Sequence, residues 1–209
     1  MKKYLVEFIG TFFLVLTIGM TVVGGDPINH LPPLAIGAAL MALVFAGGHV
    51  SGAHYNPAVT IAVWLRGRCA ASDVPGYLIA QIFGAVAASF LVLEFKGHPS
   101  VTPMNPSFGH ALLAEFVGTF ALVYVVLNVA TAKGTANNSF YGLAIGFTVM
   151  AMAFALGPVS GGAFNPAVAI GITIMGLAKA ANLWVYLVGT FAAAALAACT
   201  FKFINPDDK

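Results

Sequence analysis

GGAFNPAVAI, residues 161–170, decides the fold together with its near copy SGAHYNPAVT, residues 51–60. Each sets an Asn-Pro pair inside an otherwise apolar run. Asparagine is a favoured N-cap and proline is preorganised for the first helical position, so Asn56-Pro57 and Asn165-Pro166 each predict a helix start. The helices that follow, Pro57 to Arg66 and Pro166 to Met175, are about ten residues long and rise about 15 Å, half the depth of a bilayer. The segments before them, GGHVSG and GPVSGG, are poor helix material.

The surrounding chain shows why half a bilayer is the relevant length. Of 209 residues, 60% are hydrophobic and 8% charged, with mean hydropathy +0.93, a composition of integral membrane proteins. Apolar runs near residues 4–24, 33–50, 74–95, 108–131, 139–157 and 182–204 each approach the ~20 residues that cross ~30 Å of hydrocarbon, predicting six helices. The runs lack alternating polarity, which excludes strands. The first run is long for a signal peptide, and Gly24 to Asp26 offers no convincing cleavage site. With six spans, Lys2, Lys3, Arg66, Arg68, Lys133, Lys202 and Lys209 fall on one side and only Lys96 and Lys179 on the other, which puts both termini in the cytoplasm. The net charge of +2 thus reflects topology and gives no reason to invoke nucleic acid. Cys69 and Cys199 fall near the cytoplasmic face, where a disulfide does not persist.

The chain is also an internal duplication. EFIGTFFLV at residues 7–15 returns as EFVGTFALV at 115–123, and SGAHYNPAV returns as SGGAFNPAV. Three spans per copy is an odd number, so the second copy enters the membrane from the opposite side, an inverted repeat. Residues 1–100 and 101–209 each contribute three spans and one half-helix to a single pore-forming domain. The Pro-, Ser- and Gly-rich stretch from Lys96 to Gly109 joins them, and its Asn105-Pro106 is read as a turn. Non-helical backbone at membrane depth survives where it lines a water-filled cavity or is buried in protein. The two loops therefore line a pore, with the half-helix N-termini meeting near the midplane and the Asn56 and Asn165 amides facing the lumen, a positive centre.

Both NPA boxes, the VEF and AEF starts at Glu7 and Glu115, GHVSGAHYNPAV, and Gln81 with Gly84 in the third span make the chain resemble the aquaporins and aquaglyceroporins, the major intrinsic proteins. The likeness runs along nearly the whole chain. It implies an all-α membrane fold of six helices and two re-entrant half-helices. It also implies a homotetramer with one pore per protomer for water or small neutral solutes. In the family's pattern Asn56, Pro57, Ala58, Asn165, Pro166 and Ala167 form the pore motifs, His49 lines a vestibule, and Glu7 and Glu115 accept hydrogen bonds from the loop backbone. As intramembrane acids Glu7 and Glu115 also admit a proton-relay reading. His54 is read as loop packing, Trp64, Trp184 and Tyr4 as interfacial belt residues, and Gly84, Ala85, Ala88, Gly189 and Ala193 as sites of close helix crossing.

The residue after the second NPA is where the chain departs from the family. Most members carry an arginine there as one of four filter residues; this chain has Val168. By the family's spacing the other three positions fall on Ile36, Ala153 and Gly162. A histidine at 153 would mark a water-selective member and an aspartate at 169 a typical glycerol facilitator; the chain has alanine at both. The filter is expected to be wide and apolar. This pattern resembles an aquaglyceroporin subgroup associated with bacterial arsenic resistance, in the inner membrane, which passes arsenite. A secondary transporter of a small neutral solute is the rival reading, although such proteins usually need more spans and midplane acids. No triad, metal spacing or phosphate loop points to an enzyme, a cofactor or a metal.

Overall fold

The computed structural model describes residues 1–25 and 31–208; Asp26 and Lys209, both used above, lie outside the described residues. The chain forms α1 (Lys2–Val22), α2 (Pro32–Ser51), α3 (Pro57–Leu65), α4 (Val74–Lys96), α5 (Phe108–Ala130), α6 (Tyr141–Ser160), α7 (Pro166–Ile174) and α8 (Leu183–Ile204). Short 3-10 turns at Lys133–Thr135 and Ala180–Asn182 precede α6 and α8. Among the described residues, β pairing is confined to an isolated bridge between Met104 and Ala178. Six helices, α1, α2, α4, α5, α6 and α8, are long and apolar enough to cross a membrane. The half-helices α3 and α7 each stop one residue short of the length expected, with Arg66 and Met175 serving as C-caps.

The long helices are apolar on their outward faces as well as inside. Phe83, Phe90, Phe95, Leu113, Phe147 and Val188 are all more than half exposed. Helices that are hydrophobic all round need hydrocarbon, not water, around them. Between such helices little hydrophobic drive remains, so close backbone approach has to hold the bundle together. α1 packs against α4, α5 against α8, and α2 against α6. A methyl group added at Gly84 would lie 2.5 Å from the Phe8 carbonyl oxygen, and one at Gly189 would lie 3.1 Å from that of Leu112. Glycine therefore sets the α1–α4 and α5–α8 spacing at corresponding places.

One end of the bundle gathers most of the basic segments. Lys3 pairs with Asp73 at 2.5 Å, and Asp208 pairs with Arg66 at 2.5 Å and Arg68 at 3.5 Å. Asp208 also accepts the Lys133 backbone N–H at 2.7 Å. The N-terminus, the α3–α4 connection, the α5–α6 connection and the C-terminal tail thus share an end. Lys179 bonds to Asn105 at the other end, where α4 finishes at Lys96. The Arg66 side chain is 1% exposed and lies 4.4 Å from the Phe201 ring, so this ion pair is partly desolvated.

Candidate functional site

The half-helices α3 and α7 meet at their N-termini in the middle of the bundle. Asn56 sits in extended backbone at φ −157°, and its side-chain oxygen caps α3 by accepting from the N–H groups of Ala58 and Val59. Asn165, at φ −160°, caps α7 on Ala167 and Val168. Their amide nitrogens reach across. Asn56 Nδ2 donates to the Phe164 carbonyl and Asn165 Nδ2 to the Tyr55 carbonyl, each at 2.9 Å. One amide hydrogen on each side chain is used in this way, and the second has no hydrogen-bond partner among the described residues. Both asparagines line the same cavity.

The loops before the caps hold non-glycine residues in left-handed backbone, Tyr55 and Phe164 both at φ +49°. Such a conformation costs on the order of 1–3 kcal/mol unless the surroundings impose it. Two buried carboxylates do so. Glu7 accepts from Ser51 Oγ at 2.6 Å, His54 N at 3.0 Å, Tyr55 N at 2.7 Å and Gln81 Nε2 at 2.8 Å. Glu115 accepts from Ser160 Oγ at 2.7 Å, Ala163 N at 3.0 Å and Phe164 N at 2.7 Å. The glycine three residues beyond each acid admits the loop's aromatic ring: a side chain at Gly10 would strike Tyr55, and one at Gly118 would strike Phe164. This explains the repeated EFxGT. The acid collects the loop's donors and the glycine seats its ring.

A cavity of about 410 Å³ runs from Pro32, Pro33 and Met104 at one mouth past Ile36, Ala153, Gly162 and Val168 to Asn56, Asn165 and His54. The four filter candidates are thus brought together, and no charged side chain lines the space among the described residues. Two helix N-termini point toward its middle, leaving a net positive field without a formal charge. A second cavity of about 790 Å³ opens at the basic end and is lined by His49, Arg68, Cys69, Asp73 and Lys133 among others. His49 is exposed there. At this mouth the Asp208 carboxyl is held below the ordinary carboxylate range, first by the Lys133 backbone N–H and then by Arg66, against the opposing effect of burial.

Sequence reasoning overlooked several residues. Tyr77 Oη donates to the Ser51 carbonyl at 2.6 Å and Tyr186 Oη to the Ser160 carbonyl at 2.7 Å, bracing the two loops alike. Ser51 and Ser160, like Tyr77 and Tyr186, repeat at the spacing of the two NPA boxes, a signal present in the chain. His54, read as loop packing, is buried but also borders both cavities, as does Val126. Trp64 and Trp184 are exposed on the bundle surface, and both cysteines are free. Asn105 lies in a loop and caps no helix.

The chain is similar to known proteins along nearly its whole length. The Major intrinsic protein family matches residues 1–201. Aquaporin NIP1-4 of Oryza sativa subsp. japonica is 42% identical over 213 residues, covering 98% of this chain and 77% of that protein. Glycerol uptake facilitator protein-like 6 of Lactiplantibacillus plantarum is 37% identical over 220 residues, covering 100% of both chains. Aquaporin AqpM of Methanothermobacter thermautotrophicus is 34% identical, covering 99% of this chain and 98% of that one. The aquaglyceroporin from Plasmodium falciparum shares the fold with a TM-score of 0.82 at 22% identity, over 98% of this chain and 97% of that one. Six apolar helices, two facing half-helices capped by asparagine and a match along nearly the whole length lead to one conclusion: the chain belongs to the major intrinsic protein family.

Proposed function

We propose that this member of a channel family passes uncharged solutes larger than water, glycerol and undissociated arsenite among them, by passive flow through the central cavity. One observation carries this reading. The cavity continues past Ile36, Ala153, Gly162 and Val168 with no charged side chain on its wall. In this reading those four residues are the selectivity filter and the two NPA motifs the midplane barrier. An aliphatic filter offers an ion nothing in place of its hydration shell, and the desolvation cost falls far more heavily on charge than on a neutral polyol. Glycerol and arsenous acid each carry three hydroxyls, which loop carbonyls and the asparagine amides can meet. The uncharged wall and the facing helix N-termini together favour neutral cargo over cations.

The rest of the reading follows the family. Residues 1–100 and 101–209 act as inverted repeats around one pore, and the repeated acid, glycine, serine and tyrosine contacts support this. The protein is an integral membrane protein. Following the resemblance we place it in a bacterial inner membrane as a homotetramer, and its lysine and arginine distribution supports putting the basic end and both termini in the cytoplasm. The test is stopped-flow light scattering on proteoliposomes challenged with water, glycerol, urea and arsenite. Flux should run down the gradient and stay unsaturated through low-millimolar solute. Uphill accumulation driven by sodium or protons, abolished by an ionophore, would establish a secondary transporter instead.

A further inference from the structure

We infer that the size limit of this channel is set by a collar of His54 and Val126, deeper than Val168; the inference rests on the channel reading above. The outer filter does not divide the path. Ile36, Ala153, Gly162 and Val168 share one cavity with Asn56 and Asn165, and His54 lines it too. Among the described residues, His54 and Val126 alone border both this cavity and the one at the basic end. The two cavities therefore adjoin at one level, between the imidazole on the α2–α3 loop and the valine on α5.

The imidazole is held rigidly there. Its backbone N–H is fixed on Glu7 at 3.0 Å, its ring packs 4.9 Å from that of Tyr77, and Nδ1 lies 3.1 Å from Thr60 Oγ1. The Thr60 hydroxyl donates its single hydrogen to the Asn56 carbonyl at 3.1 Å and accepts from Gln81 Nε2 at 2.9 Å. Its remaining contact, with His54, is therefore also one it accepts, which puts the ring proton on Nδ1 and leaves Nε2 a bare acceptor. The collar thus presents one hydrogen-bond acceptor and one aliphatic face, suited to a solute with O–H or N–H donors along one edge.

The repeat strengthens the assignment. At the spacing that relates the two NPA boxes, His54, Thr60 and Gln81 correspond to Ala163, Ala169 and Thr190. The second loop is scaffolded by Glu115, Ser160 and Tyr186 with no such triad. Holding a loop in place consequently does not require an imidazole at this position, and its presence in one half alone fits a role toward the lumen.

The experiment compares glycerol with the longer polyol erythritol in stopped-flow proteoliposomes at equal protein content. If the limit lies at the collar, Val126→Ala raises the erythritol-to-glycerol flux ratio about threefold or more, and by more than Val168→Ala does. Val126→Phe lowers glycerol flux by about tenfold or more. His54→Ala should raise the same ratio, and the Val126 pair decides the matter if that variant fails to fold. A ratio raised as much or more by Val168→Ala, or glycerol flux through Val126→Phe within about twofold of the parent, places the limit at the outer filter and overturns the collar while leaving the channel intact. Glycerol flux through the parent no faster than through protein-free vesicles overturns the channel reading and the collar with it.

Discussion

Replacing Glu115 by glutamine tests how the pore loop is held at depth. Oε1 accepts from Ser160 Oγ and Ala163 N, and Oε2 from Phe164 N. Three donors converge on the two oxygens. In Glu115→Gln one oxygen becomes an NH₂ group. The gentler amide orientation keeps Ser160 and Ala163 and turns the NH₂ on the Phe164 N–H. That loses one hydrogen bond and strands a buried backbone donor, about 3 kcal/mol in all. Glu115→Met strands all three donors and should cost about 6 kcal/mol. At about 2–4 °C per kcal/mol for a chain of this size, Glu115→Gln should melt about 6–12 °C below the parent. The assay is thermal unfolding of detergent-solubilised protein, followed by glycerol flux at equal protein per vesicle, which should fall because Phe164 presents its carbonyl to Asn56. A Glu115→Gln protein that melts within about 1 °C of the parent would refute the reasoning, because the buried Phe164 N–H would then be stranded without cost.

Three further outcomes follow from the geometry. Val168→Arg places a long cation beside Ile36, Ala153 and Gly162 and should lower glycerol and arsenite flux severalfold while water flux persists in part; unchanged large-solute flux in vesicles would show that the filter is elsewhere. Asn56→Asp and Asn165→Asp put an anion where two helix N-termini converge, so proton and sodium leak should rise, and unaltered conductance in folded protein would remove the asparagines from the ion barrier. The Asp208 carboxyl is depressed below its ordinary value of 3.8, so its hold on the Lys133 amide is fully present above that value and is lost as pH falls through the lower one. Hydrogen exchange at Lys133 should stay protected at mild pH and open only in strong acid; opening near neutrality would contradict the linkage.

What the sequence made legible was whatever repeats or depends on solvent class. The six apolar runs gave helices within a few residues, because their outward faces must match hydrocarbon along their whole length. The half-helices could be read because an Asn-Pro start is a local signal, complete within a few residues. Glu7 and Glu115 stood out as acids in apolar runs. Ser51 and Ser160, which donate to them, and Tyr77 and Tyr186, which brace the same loops, repeat too but did not stand out, since a hydroxyl in an apolar helix carries no charge to mark it.

His54, read as loop packing, is buried as expected, and its place on both cavities went unread for a different reason. It belongs to the part of the chain that breaks the repeat, and duplicated sequence draws attention to what the halves share. A shared residue has to serve both halves, which is the mark of scaffolding: Glu7 and Glu115, Gly10 and Gly118, and Tyr77 and Tyr186 each perform one task twice. The lumen has no such symmetry, because its two ends meet different surroundings and the solute crosses different walls in turn. Residues that choose the solute are therefore to be sought where the halves disagree. Val168 against Val59 hides this, since both boxes end in valine. His54 against Ala163 reveals it: an imidazole fixed by threonine and glutamine stands where the other half keeps a methyl group. An outer wall without a charged side chain grades solutes by size only weakly, so the collar proposed at His54 and Val126, where the two cavities adjoin, is where such grading is to be sought.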